Sequence, residues 1–127
     1  MEKKVGKEKA IWKMEIYFSM VNFNGVLNGN IKQFHENGNL FYEGGIKNEL
    51  MYGKGKEYYE NGKLLFEGEY DDGNLVEIGK EYYENGKLKY EGEFKEGKKN
   101  GKGKEYDELG NLIFEGEYLD YNPLLKK

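Results

Sequence analysis

The dipeptide Glu-Gly returns at Glu43-Gly44, Glu67-Gly68, Glu91-Gly92 and Glu115-Gly116, each step 24 residues long. A fixed period without insertion or deletion means that one small structural unit is copied, and that each copy packs chiefly on its neighbours. Other columns keep step: the glycines Gly38, Gly62, Gly86 and Gly110, and the aromatics Phe34, Tyr58, Tyr82, Tyr106 and Tyr42, Phe66, Tyr90, Phe114. Four units fill residues 29–120 of the 127-residue chain.

Within a unit the periodicity is that of strands. Leu64, Phe66, Gly68 and Tyr70 alternate with Leu65, Glu67 and Glu69, a period of two. Asn61-Gly62 is a strong hairpin signal, because both central residues of a type I′ turn need positive φ. Each unit is therefore expected to be one β-hairpin, followed by a return such as Asp71-Asp72-Gly73-Asn74. A two-residue loop sets Glu60 against Lys63, Tyr59 against Leu64, Lys56 against Glu67 and Lys54 against Glu69. The third pairing recurs as Lys32–Glu43, Lys80–Glu91 and Lys104–Glu115, and opposite charges facing each other contribute about 0.2–1 kcal/mol each. Gly55 then faces Gly68, leaving a slot for a ring from the neighbouring hairpin. One tension remains: Tyr58 lands on the charged face, and a longer loop would shift the parity.

The composition bounds what such a stack can be. Charged residues make up 35% of the chain, a level that by itself points to disorder. The 16% of aromatics, 12 of them Tyr, argue for a folded chain with a thin core, since each large ring buries roughly 150–250 Å². The net charge is −4 with Lys and Glu interleaved, so no basic stripe exists for a nucleic acid backbone. Cysteine is absent, which removes disulfides and thiolate metal sites. No run approaches the ~20 apolar residues of a membrane helix, and Lys13 and Glu15 break the one N-terminal stretch that resembles a leader. The expected address is cytoplasmic for a complete chain, and secreted or surface for one whose leader has been removed.

The ends depart from the pattern. Residues 1–10 are expected to be flexible, and 11–28 to form a degenerate half-repeat that caps the stack. Trp12, Met14, Ile16, Phe18 and Met20 share one parity, and a shift of one period lays Met20 on Gly44. Residues 121–127 form a C-terminal tail in which Leu124 and Leu125, after Pro123, are expected to fold back over the last hairpin.

Residues 90–110, YEGEFKEGKKNGKGKEYDELG, resemble a MORN repeat. Tyr90, Gly92, Phe94, Gly97, Gly101, Gly103 and Gly110 fill its positions in order. The spacing and the segment EYYENGKL resemble the bacterial MORN-variant form, with departures at Ile31, Ile46 and Glu77. The resemblance covers about three quarters of the chain. It implies an all-β, elongated, single-layer antiparallel sheet of stacked hairpins, about four and a half units long. For function it implies scaffolds, protein-binding platforms or membrane-associated modules, and among bacterial variants YwqK-type antitoxins and surface-associated proteins.

The residues offer little chemistry. His35 stands alone in the column of Tyr59, Tyr83 and Asp107, and without a second His or any Cys it is expected to be a surface-tolerant strand residue. The GKGK segments at 53–56 and 101–104 lack the spacing, the Ser/Thr and the following helix of a phosphate loop. DDGN at 71–74 lacks the remaining ligands of a calcium loop. No nucleophile–base pair is identifiable, so a non-catalytic chain without cofactor or metal is expected.

Binding potential rests on the aromatic columns Phe34, Tyr58, Tyr82, Tyr106 and on Tyr59 and Tyr83, as a tyrosine-rich platform for a protein partner. The open edge of the last strand offers a second route, by strand addition. The expected function is a protein-interaction module, with the neutralising partner of a bacterial toxin first and an adhesion module for host protein or glycan second. A membrane role is disfavoured by the net negative charge.

Overall fold

The computed structural model describes the backbone of residues 11–21 and 27–125, and side chains from 29 to 125. Ten strands follow in chain order: β1 (Ile11–Val21), β2 (Leu27–His35), β3 (Leu40–Lys47), β4 (Leu50–Tyr58), β5 (Leu64–Asp71), β6 (Asn74–Tyr82), β7 (Leu88–Lys95), β8 (Lys98–Tyr106), β9 (Leu112–Leu119) and β10 (Asn122–Leu124). They form one open antiparallel sheet in which each strand pairs with the one before and the one after. Among the described residues there is no helix. The fold is the all-β single layer of stacked hairpins that the repeat implies.

The Asn-Gly turn is not the two-residue turn expected of it. At the Asn-Gly turn, Gly62 N–H donates to Tyr59 C=O at 2.9 Å and Tyr59 N–H to Lys63 C=O at 2.8 Å. Gly62 has φ 91°, whereas Asn61 is not left-handed. This is a three-residue loop, a type I turn closed by a left-handed glycine. Asn61 serves it differently, its Oδ1 accepting Lys63 N–H at 2.9 Å. The two-residue turns with both φ positive lie at the returns, such as Asp72 (51°) with Gly73 (84°) and Glu96 (52°) with Gly97 (81°).

An odd loop alone would throw every following side chain to the wrong face. A bulge corrects it: Tyr58 faces Leu64 and Glu57 faces Phe66, so Leu65 is extra. Phe41, Lys89 and Ile113 are the extra residues of the other three units. Beyond the bulge Lys56–Glu67, Gly55–Gly68 and Lys54–Glu69 pair as expected. The pairings Glu60–Lys63 and Tyr59–Leu64 do not form, because the loop is one residue longer.

With parity restored, one face of the sheet carries Ile31, Tyr42, Ile46, Tyr70, Leu75, Tyr90, Phe94 and Tyr118, all buried. A single layer has no second sheet to cover these rings, so they lie across their own. A Cβ on Gly55 would sit 2.5 Å from the Tyr42 hydroxyl oxygen, and one on Gly103 2.5 Å from two Tyr90 ring carbons. The glycine columns are ring slots. Edge-to-face contacts join the rings, Tyr42 to Tyr70 at 5.6 Å and Tyr90 to Tyr118 at 5.2 Å between centroids.

His35 is a correction. It is only 2% exposed, packs edge-on against Phe41 at 5.0 Å, and places Nε2 3.1 Å from the Tyr58 carbonyl. A column that looks polar within one unit is covered by the next. Asn122–Leu124 is another: it pairs as β10 with Leu119, Tyr118 and Glu117 and continues the sheet, while Leu125 stays 75% exposed. Pro123 is tolerated there because the strand is at the edge. At the other end β1 pairs with β2, but Ile16 faces Ile31, where a shift of one period would place Met20. The expectation for residues 1–10, and any side-chain cap from 11–28, lies outside the described residues.

Candidate functional site

The opposite face carries the charges. Lys54, Lys56 and Tyr58 on β4 share it with Glu67 and Glu69 on β5, because cross-strand partners lie on one side of the sheet. The same holds for Lys80 and Tyr82, and for Lys104 and Tyr106, in later units. Tyr58, the residue that resisted the register, therefore belongs on this face, and its hydroxyl explains why. It donates to Glu43 Oε1 at 2.6 Å; Tyr82 donates to Glu67 and Tyr106 to Glu91 in the same manner. Burial, and then the carboxylate it bonds, pushes the Tyr58 and Tyr82 hydroxyls well above the ordinary phenol range, so each stays a donor. A hydroxyl bonded to a carboxylate is stronger than a neutral pair.

This has a consequence for the lysines. One ladder pair, Lys104–Glu115, closes to 4.0 Å. Among the described residues Lys54, Lys56 and Lys80 meet no carboxylate within that distance. The ammonium groups flank a shallow trough of about 970 Å³ whose floor is Gly44, Gly55, Gly68 and Gly79. Ile78, 62% exposed, projects into it. Sequence reasoning passed over Ile78, although the signal was present: it stands in the column of Lys54 and Lys102. A second trough, of about 870 Å³, lies at the C-terminal end beside Lys102, Lys104, Phe114, Glu115 and Leu124.

The six aromatic candidates divide in two. Phe34, Tyr58, Tyr82 and Tyr106 are half-buried on the charged face. Tyr59 and Tyr83, also half-buried, lie at the hairpin ends. Their hydroxyls donate to the Tyr82 and Tyr106 carbonyls at 2.7 and 2.8 Å, stapling each hairpin to the next. The GKGK segments lie inside β4 and β8 with their backbones paired, and DDGN is a two-residue turn. Among the described residues no three His, Asp or Glu are grouped as metal ligands, and no helix is long and apolar enough to cross a membrane.

A family model described as MORN repeat variant matches four segments of the chain, residues 27–48, 51–72, 78–96 and 99–120. Together they span about two thirds of it. The chain belongs to the MORN repeat variant family. Repeats of this kind generally serve as protein- or membrane-interaction modules and are generally non-catalytic. The matched segments coincide with the hairpin units, so the MORN repeat here is the ring slot, the ladder and the two turns together. No curated protein matches the chain.

Proposed function

We propose that this MORN-variant chain is a non-catalytic protein-interaction module that docks a protein partner on its charged face. The observation that carries this reading is the set Lys54, Lys56 and Lys80, without carboxylate partners among the described residues, around a glycine-floored trough with Ile78 exposed within it. Ammonium groups held beside apolar surface suit an acidic partner segment with an apolar anchor. Phe34, Tyr58, Tyr82 and Tyr106 add stiff aromatic surface on the same side. Within the family resemblance the partner class favoured is a bacterial toxin that the chain neutralises. An adhesion module stacking glycan on tyrosine rings draws less support, because Tyr59 and Tyr83 spend their hydroxyls on neighbouring carbonyls.

The test is affinity capture from source cells with the wild type and with a Lys54→Glu/Lys56→Glu/Lys80→Glu variant side by side. A partner retained by the wild type, lost by the variant and weakened as salt rises supports the reading. Equal retention by both, or no retained protein, defeats it. For the toxin class, co-expression with the captured protein must restore growth that the captured protein alone arrests.

A further inference from the structure

Each hairpin's second strand is covered in the same way by the first strand of the next. Opposite the aromatic–Glu–Gly edge of β3 stands Gly55-Lys56-Glu57, with Gly on Gly, Lys on Glu and Glu on the ring. β5 receives Gly79-Lys80-Glu81 and β7 receives Gly103-Lys104-Glu105 in the same register. The residue after each, Tyr58, Tyr82 and Tyr106, donates its hydroxyl to the edge's glutamate.

On β9 the same edge, Phe114-Glu115-Gly116, has no such cover among the described residues. β10 reaches only Leu119, Tyr118 and Glu117. Glu115 lacks a tyrosine donor there, and its side chain is 60% exposed with Lys104 alone at 4.0 Å. A Cβ on Gly116 would meet nothing nearer than the ring of Phe114, whereas one on Gly92 would meet the Cα of Gly103 across the joint. The trough of about 870 Å³ opens beside this edge.

We propose that Phe114-Glu115-Gly116 is a receptor edge for an extended segment of another protein carrying the order Gly-Lys-Glu-Tyr. The backbone of that segment would complete the sheet, its lysine would face Glu115, and its tyrosine hydroxyl would take the vacant donor position on the same carboxylate. A second copy of this chain is a poorer occupant. Its own Gly-Lys-Glu segments are already paired on both sides. Antiparallel pairing of two β9 edges through Gly116 would set Glu115 against the partner copy's Glu117, a like-charge contact that disfavours it.

The experiment titrates the isotope-labelled full chain with a peptide of residues 99–108, which carries Gly103-Lys104-Glu105-Tyr106, and follows backbone amides. The expected result is saturable shifts at Phe114, Glu115 and Gly116. A Tyr106→Phe peptide should bind about tenfold more weakly, having lost a hydroxyl-to-carboxylate bond. A Lys104→Glu peptide should bind several-fold more weakly, and a Glu115→Lys chain should reverse that preference. The proposal fails if millimolar peptide leaves those amides unmoved, or if the shifts fall instead on β7, showing that the peptide displaces β8. It fails equally if both charge forms bind alike, or if the chain alone forms a concentration-dependent dimer that moves the same three amides.

Discussion

At the β7–β8 joint the ring of Tyr90 is fully buried and pressed across Gly103. At the β5–β6 joint, one repeat earlier, the same column holds Phe66, only half-buried, and a Cβ on Gly79 would instead meet the Phe94 ring at 3.2 Å. The β3–β4 joint repeats the tight arrangement with Tyr42 across Gly55. The hydroxyls show why. Tyr42 and Tyr90 extend over the glycine pair and donate to the carbonyls of Gly45 and Glu93 at 2.8 and 3.0 Å, a reach phenylalanine lacks. Four residues further along the same strands, in the column Ile46, Tyr70, Phe94, Tyr118, the alternation inverts: Tyr70 and Tyr118 donate to Glu57 and Glu105, both at 2.8 Å. In the middle unit Phe94 leaves Glu81 to Lys89 at 3.6 Å. The packed unit is thus a pair of hairpins, 48 residues long, made of two unlike 24-residue copies. The chain holds two such pairs, joined at a looser seam.

The largest effect separates the two joints directly. Gly103→Ala would drive a methyl into the Tyr90 ring, which is 0% exposed and has no room to withdraw. A loss of about 3 kcal/mol is expected. Gly79→Ala meets Phe94 ring carbons at 3.2 Å and the Glu67 carbonyl at 3.4 Å, so about 1 kcal/mol is expected. Urea unfolding of both variants checks the contrast, and equal midpoints would remove the pairing of hairpins.

Next comes the hydroxyl. Tyr118→Phe leaves Glu105, 25% exposed, with Lys99 at 3.9 Å as its remaining partner, at a cost of about 1.5–3 kcal/mol. Burial, then Glu105, raises the Tyr118 hydroxyl well above its ordinary value, so the loss should be constant from neutral pH to mildly alkaline pH. Phe94→Tyr at the seam offers Glu81 the missing donor and should cost far less. Thermal melts of the pair test this, and a Phe94→Tyr loss as large as that of Tyr118→Phe would contradict it.

Glu77 marks the seam in the backbone. It holds φ 57°, where the same column in the tight pairs has Gly53 at 73° and Gly101 at 93°. A left-handed non-glycine residue costs roughly 1–2 kcal/mol, part of which glycine returns through its freer unfolded chain. Glu77→Gly should therefore stabilise by about 0.5–1 kcal/mol. Gly101→Glu should destabilise, since its Cβ would also meet the Glu93 carboxylate at 2.8 Å.

Much of this was legible in the chain, and what was not has a physical cause. The glycine slots and the Lys56–Glu67 register were reached from a two-residue loop, supported by the Lys–Glu pairs that recur with the period. The turn types were not legible. Asn61-Gly62 and Asp72-Gly73 carry the same signal, and an odd loop followed by an extra Leu65 yields the same register as an even loop with none. His35 misled because its partner, the Tyr58 carbonyl, belongs to the next hairpin. The doubled period was visible as Tyr42, Phe66, Tyr90, Phe114, but treating all aromatics as one class erased the hydroxyl that distinguishes them. The role of Tyr58 needed its acceptor, which lies across the strand in Glu43.

The smallest effect concerns the last member of the staple column. His35, Tyr59 and Tyr83 each reach a carbonyl of the following hairpin. Asp107 turns inward instead, accepting from the N–H groups of Leu109 and Asn111 at 3.0 and 2.9 Å and from Asn111 Nδ2 at 3.1 Å. The Asn111 bonds, with help from Leu109 and Gly110, hold its carboxyl below the usual range. The sign follows from that direction. A carboxyl whose folded value is depressed contributes stability above its unfolded value of about 3.9, and loses it as pH falls through the folded value. The stability gap between wild type and Asp107→Asn should be constant from neutral pH down to about 4 and shrink below it. Tyr83→Phe, which breaks a staple with no carboxylate in it, should show no such convergence in that window. Melting both variants against wild type across the acid range separates a turn that holds itself from turns held by their neighbours, and parallel curves for the two variants would merge them into one class.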